Sequence, residues 1–226
     1  MFYNVVVAIL RVLFFPFYRI RVHGKENIPQ KSDIIVCANH WSNLDPLFLA
    51  LSLPIKFNFM AKKELFEIPV LRNIFKLAGV FPIDRQGNDL KALRHAIGLI
   101  KDNQTLGIFP EGTRVKKISR DNMHDGVGFI ALKAKADILP IEIVTNYKLF
   151  SRVDIYVKSP ISIENYSDLK NKEAMKMICD LIFDDIYEHR NIIESENNGN
   201  NHSWEFRILF RSKKKRRACW KSFGKQ

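Results

Sequence analysis

The chain predicts an α/β fold, a single domain whose mostly parallel or mixed central sheet is flanked by helices. Three observations carry that expectation. Short apolar runs such as "DIIVCA" and "DILPIEIV" alternate with stretches of helical period. Gly and Pro punctuate the gaps between them. A chain of 226 residues with 46% hydrophobic content suits one α/β domain with a substantial core, and no internal repeat suggests two.

Taken in order, the elements begin with "MFYNVVVAILRVLFFPFYRIRVHG". Between Phe2 and Tyr18 only Asn4 and Arg11 are polar, yet Arg11 and Pro16 interrupt the run, so no uninterrupted span of about 20 apolar residues exists. A signal peptide would show a basic start and a small-residue cleavage site, and neither is present. The expectation is a short helix at the bilayer interface, with Arg11, Arg19 and Arg21 near the headgroups; a first helix buried in the core is the competing reading. "RVHGKENIP" reads as a strand end and turn, and "DIIVCA" as a buried strand. "DPLFLALSL" reads as a helix with Asp45 as N-cap and Pro46 at the first helical position. "KFNFMA" alternates like a strand, "KKELFEIPVLRNIFKLAG" is broken helix, and "VFPIDR" is a short strand. "NDLKALRHAIGLIKDNQ" is an amphipathic helix capped by Asn88, with Leu90, Leu93, Ile97 and Ile100 on one face. "TLGIF" is a buried strand, "DGVGFIALKAKA" a helix, "DILPIEIV" and "VDIYVKSPISI" strands, and "SDLKNKEAMKMICDLIFDDIYEHRNII" a long closing helix. The polar "ENNGNNHS" has nothing to bury. The expected organisation is therefore an interfacial segment over 1–21, a catalytic domain over 22–194, a linker over 195–203 and a basic tail over 204–226.

The net charge of +12 points to an anionic partner. Most of it is tail: residues 204–226 hold nine lysines and arginines against one glutamate, a net of +8, leaving +4 on the first 203 residues. Trp220 and Phe223 in that tail could stack on bases. The apolar amino terminus favours an anionic membrane surface over nucleic acid. Cys37, Cys179 and Cys219 are odd in number and far apart, which suits neither a disulfide framework nor a zinc site and points to a reducing compartment.

Chemistry concentrates in loops after strands. The first, "NHWSNLD", sets His40 five residues before Asp45. Read alone, Asp45 only satisfies helix donors and His40 is a loop residue. Read chemically, a carboxylate on one ring nitrogen fixes the tautomer and leaves the other to take a proton from a hydroxyl. The second, "FPIDRQG", carries Arg85. The third, "FPEGTR", carries Glu111, Gly112, Thr113 and Arg114. There Pro110 and Gly112 suggest a tight turn whose amides face an anion, and Arg114 offers a planar fork for phosphate. Such loops at the ends of strands are where α/β sheets bind ligands. A base, a carboxylate and phosphate-binding groups suggest acyl or phosphoryl transfer at a phosphorylated alcohol. His and Asp are also metal ligands, but no other His or Cys stands at ligand spacing nearby, so neither a metal nor another cofactor is expected.

"NHWSNLDP", "AKKELFEIPVLRNIFKLAGVFPIDR" and "LGIFPEGTR" resemble, in order and approximate spacing, the motif blocks of the 1-acyl-sn-glycerol-3-phosphate (lysophosphatidate) acyltransferases. The resemblance runs from about Val22 to Ile143, and "ILPIEI" fits the final block. The NHx4D and FPEGTR pair is highly specific to the glycerolipid acyltransferase superfamily and less specific about the acceptor. The resemblance implies a glycerol-3-phosphate acyltransferase-like fold and a set of roles. His40 is the general base, and Asp45 orients it and stabilises its imidazolium. Glu111 and Gly112, with Thr113 beside them, shape the acceptor pocket. Arg114 binds the glycerol phosphate, with Lys62 and Arg85 as further contacts. The donor is acyl-CoA or acyl carrier protein, the acceptor lysophosphatidate, and the expected location the cytoplasmic face of the cell membrane, peripheral or monotopic. Ser42 could serve an acyl-serine route, but the family pattern leaves that position variable and direct attack is favoured. The chain departs from the pattern at Met123 and His124, where Phe-Lys is usual; His124 reads as a surface residue. Alternatives are acylation of another lysophospholipid or of glycerol 3-phosphate, and a non-catalytic, basic membrane-surface protein.

Overall fold

In the computed structural model of the protein, residues 2–84 and 89–190 are described. The chain divides into two units, Met1–His189 and Arg190–Gln226; the expected linker and basic tail lie outside the described residues.

The first unit is built on seven strands: β1 (Arg19–His23), β2 (Ile35–Ala38), β3 (Phe57–Lys62), β4 (Phe81–Ile83), β5 (Thr105–Ile108), β6 (Ile138–Val144) and β7 (Arg152–Val157). They lie in the order β1-β7-β6-β2-β5-β3-β4. All neighbours are parallel except β6 and β7, so the sheet is mixed, as expected. Central β2 is buried along its whole length, which is why it reads as a continuous apolar run.

Among the described residues six α-helices accompany the sheet: α1 (Phe2–Phe14), α2 (Asp45–Ser52), α3 (Pro69–Leu77), α4 (Leu90–Lys101), α5 (Gly126–Ala134) and α6 (Asn171–Ile186). One face of the sheet packs Ile35, Cys37 and Leu106 against Ala96 of α4, Ile130 of α5 and Ile178 and Ile182 of α6. The other packs Val36, Ala38 and Ile141 against Phe48 and Leu49 of α2, with Phe14 of α1 at its margin. Adjacent strands β2 and β5 thus send their chains to opposite faces, β2 into α2 and β5 into α5. That divergence opens a crevice at their carboxyl ends, the usual place for a ligand in a doubly covered sheet.

Several expectations shift. Asp45 is the first residue of α2 rather than its N-cap, and the cap position falls on Leu44. Asp89, not Asn88, caps α4: its carboxylate accepts the Ala92 N–H at 2.9 Å, while Asn88 lies outside the described residues. The buried face of α4 is Ala92, Ala96, Leu99 and Ile100, with Leu93 and Ile97 at its edge and Leu90 56% exposed. Of the expected stripe, Ile100 is buried, Leu93 and Ile97 pack at the margin and only Leu90 faces away.

The amino-terminal segment also differs in detail. α1 ends where Pro16 breaks it, in a one-turn 3-10 helix over Phe15–Phe17. Arg11 does not reach outward; its Nε donates to the Leu51 carbonyl at 2.7 Å, at the carboxyl end of α2 where a cation is favoured. Ile9, Val12, Leu13 and Phe17 are exposed. β1 crosses the expected division at residue 21, and Arg19 and Arg21 lie on it, in register with Arg152 and Asp154 of β7. Among the described residues no helix is long and apolar enough to cross a membrane.

Candidate active site

The loop after β2 and the loop after β5 meet at the crevice, and His40 is where they join. Its Nδ1 lies 3.0 Å from Asp45 Oδ2. Its backbone N–H donates to Glu111 Oε1 at 3.0 Å, and its carbonyl accepts from the Val115 N–H at 2.9 Å. The ring stacks on Phe109, with centroids 4.2 Å apart and planes 23° apart. The imidazole is therefore fixed at one ring nitrogen, at both backbone groups and on one face. Bonded to a carboxylate through Nδ1, it carries its proton there, and Nε2 is left as the basic nitrogen.

Asp45 is fully buried. Besides His40, its Oδ2 accepts the Trp41 and Ser42 N–H groups, each at 2.7 Å. Oδ1 accepts the Tyr147 hydroxyl at 2.8 Å. The donors Asp45 satisfies are therefore those of the preceding turn rather than of the helix it was expected to cap, and the same oxygen contacts the His40 ring. The carboxylate closes the turn from Trp41 to Ser42, and that turn aims it at the ring. The Ser42 hydroxyl accepts the Leu44 N–H at 3.2 Å within the same turn.

Glu111, expected to help shape the acceptor pocket, is itself only 2% exposed. It is buried beneath His40, where Oε1 accepts the His40 amide and the Tyr187 hydroxyl, the latter at 2.5 Å from just beyond α6. Oε2 is buried without a hydrogen-bond partner among the described residues. Burial pushes its carboxyl above the usual carboxylate range, against the bonds from Tyr187, its own backbone and His40 that pull it down. Gly112 turns the chain at φ +66°, and a Cβ there would meet the His124 ring at 2.8 Å. Its amide donates to Phe109 at 3.0 Å, closing the turn rather than facing outward as expected. Thr113 and Arg114 follow, both exposed at the crevice. His124 is exposed, as expected.

Lys62 ends β3 at this same edge of the sheet, where its ammonium pairs with Glu64 at 3.4 Å, outside the network around His40. Arg85 lies outside the described residues. Two contributors had no local signal, Tyr147 from the β6–β7 loop and Tyr187 from the end of α6; Asn39, the first residue of the NHx4D motif, is buried and bonds both backbone groups of Ile143 (2.7 and 2.9 Å). Each is about 75 residues or more from its partner, too far for spacing to reveal. Among the described residues no group of three His, Cys, Asp or Glu side chains could hold a metal. An open groove of about 730 Å³ lies at the opposite edge, between Ile34, Ile55 and Thr105, and shares no residue with this site.

Comparison with known proteins is consistent from sequence to fold. The Acyltransferase family profile matches residues 19–144. A 1-acyl-sn-glycerol-3-phosphate acyltransferase of Bacillus subtilis (strain 168) is 28% identical over 182 residues, covering 77% of this chain and 90% of that protein. One from Streptococcus pneumoniae is 33% identical over 170 residues, covering 71% of this chain and 62% of the relative. The crystal structure of the 1-acyl-sn-glycerophosphate (LPA) acyltransferase PlsC from Thermotoga maritima superposes with a TM-score of 0.59 at 24% identity, covering 80% of this chain and 76% of that one. The last likeness speaks to fold.

Proposed function

The chain belongs to the Acyltransferase family, and on that premise we propose that it transfers a fatty acyl group from acyl-CoA or acyl carrier protein to the free hydroxyl of 1-acyl-sn-glycerol 3-phosphate, giving phosphatidic acid. The observation that carries this reading is the His40–Asp45 contact of 3.0 Å at the crevice between β2 and β5. His40 Nε2 takes the proton of the acceptor hydroxyl as its oxygen attacks the thioester carbonyl carbon. The tetrahedral intermediate collapses with cleavage of the C–S bond. The thiolate leaves and takes the proton back from the imidazolium, whose charge Asp45 has stabilised. Arg114, exposed beside the turn, meets the acceptor's phosphate. Glu111 holds the His40 loop from below, and Gly112 and Thr113 shape the approach to it. Lys62 and Arg85 are the further phosphate contacts of this reading.

The lipid substrate places the enzyme at a membrane. The exposed apolar side chains of Ile9, Val12, Leu13 and Phe17 support an interfacial α1, on a peripheral or monotopic protein at the cytoplasmic face. Leu149 and Phe150 extend that surface, since Phe150 packs on Phe17 with ring centroids 5.9 Å apart. An interfacial segment ending near Tyr18, a catalytic domain from β1 through α6 and a basic tail held against anionic lipid make up the proposed organisation.

The test offers purified protein lysophosphatidate, glycerol 3-phosphate and lysophosphatidylcholine, each with both donor types, and resolves products by mass. Phosphatidic acid is the expected product. His40→Ala should lower turnover on the order of 100- to 10,000-fold, the usual cost of removing a general base. Near wild-type turnover in that variant would remove His40 as the base, and a different acylated product would reassign the acceptor.

A further inference from the structure

We propose that Tyr147 is a positioning residue of the transfer reaction, acting through Asp45; this rests on the reading of His40 and Asp45 as the proton-transfer pair. The two oxygens of Asp45 have divided duties. Oδ2 serves His40 and the two turn amides, whereas Oδ1 has one donor among the described residues, the Tyr147 hydroxyl at 2.8 Å. A carboxylate with one oxygen unheld can turn about its Cβ–Cγ bond and carry the His40 contact with it. The phenol, 102 residues from Asp45 in sequence, blocks that rotation and fixes the plane in which Asp45 meets the imidazole.

The backbone supports this assignment independently. Tyr147 sits at φ +59°, the left-handed region that a residue with a Cβ adopts only at an energetic cost. Such strain persists where the surroundings over-determine it. Here the Tyr147 amide donates to Thr145 Oγ1 at 3.3 Å, its ring stacks near Phe48 of α2, and the Phe150 amide donates to the Phe17 carbonyl at 2.7 Å. The loop is thus tied at one end to the turn after α1. Two residues of the loop lie in this region, Phe150 at φ +64° and Tyr147, and Tyr147 is the one whose hydroxyl reaches the buried carboxylate.

The test uses the full chain and the variant Tyr147→Phe, which keeps the ring against Phe48 and removes only the hydroxyl. Rates are taken well below the Tm of each variant, so lost stability cannot pass for lost turnover. The expected result is a fall in kcat of about tenfold, the loss of one hydrogen bond to a charged group, with KM for donor and acceptor within about twofold. In an Asp45→Ala background the same substitution should cost nothing further, because the group it acts through is gone. An equal loss in both backgrounds, or a wild-type kcat in Tyr147→Phe, would overturn the proposal. His40→Ala measured alongside separates the two levels. If it stays active, the reading of the pair fails; if it is inactive while Tyr147→Phe is fully active, the failure is confined to Tyr147.

Discussion

At the scale of single residues, buried and exposed members of the FPEGTR turn do different work. Arg114 is exposed, and among the described residues the hydrogen bonds that close the turn are made by other groups. Arg114→Ala should therefore leave the fold intact and raise KM for the phosphorylated acceptor well above any change for the acyl donor. A charge-assisted bond to phosphate is worth about 1.5–3 kcal/mol, or roughly 10- to 100-fold; equal losses for both substrates would mark Arg114 as structural. Glu111 is the opposite case. Its carboxyl is raised by burial, so it adds stability below its unfolded pKa and loses it as pH rises through the folded value. Glu111→Gln keeps an acceptor for the His40 amide and removes the titration. The Tm of the variant relative to the parent should therefore climb as pH rises from the ordinary glutamate range through the raised folded value. A difference in Tm that is flat with pH would show that the buried charge is stabilised elsewhere.

At the scale of elements, the site depends on how strands are spaced and helices are started. Phe59, Phe109 and His40 form a run of stacked rings, Phe59 to Phe109 at 5.8 Å and Phe109 to His40 at 4.2 Å. Gly107 in β5 makes room for it, since a Cβ there would lie 2.4 Å from the Phe59 ring. The glycine in "TLGIF" is thus a packing requirement beneath the candidate base. α4 starts on Asp89, whose two oxygens accept the Ala92 and Asp84 N–H groups, each at 2.9 Å. Asp89→Ala should cost about 1 kcal/mol in denaturant unfolding, the usual worth of an N-cap, and leave turnover unchanged. Loss of activity instead would tie the start of α4 to the acceptor site.

At the scale of the whole molecule, the prediction concerns lipid. Truncation after about Asn200 removes the +8 segment and none of the motif blocks. Each lysine or arginine near an anionic surface is worth about 1 kcal/mol, screened within about 8 Å. The truncated protein should bind anionic vesicles more weakly and lose most of the salt dependence, with turnover on detergent-dispersed acceptor little changed. Changing Val12 and Leu13, 74% and 57% exposed, to Asp should weaken binding at every salt concentration. Each buried apolar side chain is worth about 1.5–3 kcal/mol, so a loss of about tenfold or more is expected. Vesicle binding indifferent to both changes would remove the membrane assignment, and a mobility shift with nucleic acid would be the next measurement.

The sequence by itself determined the α/β class, because the period of the apolar residues reports which face is buried. It also carried the family resemblance, because motif order survives in the chain, and that resemblance singled out His40 and Asp45, which their spacing alone left open to a bland reading. The tertiary structure decided what holds that pair. Glu111 is a buried support of the His40 loop, since only the pairing of β2 with β5 brings its carboxylate to the His40 amide. Tyr147, Tyr187 and Asn39 reach their partners across 102, 76 and 104 residues, and no local periodicity encodes a contact made by sheet order. On α4 the tertiary structure likewise decided the extent of the buried face: Ala92, Ala96, Leu99 and Ile100 lie inward while Leu90 stays 56% exposed, because a hydrophobic period reports a face and the neighbouring elements decide how much of it is covered.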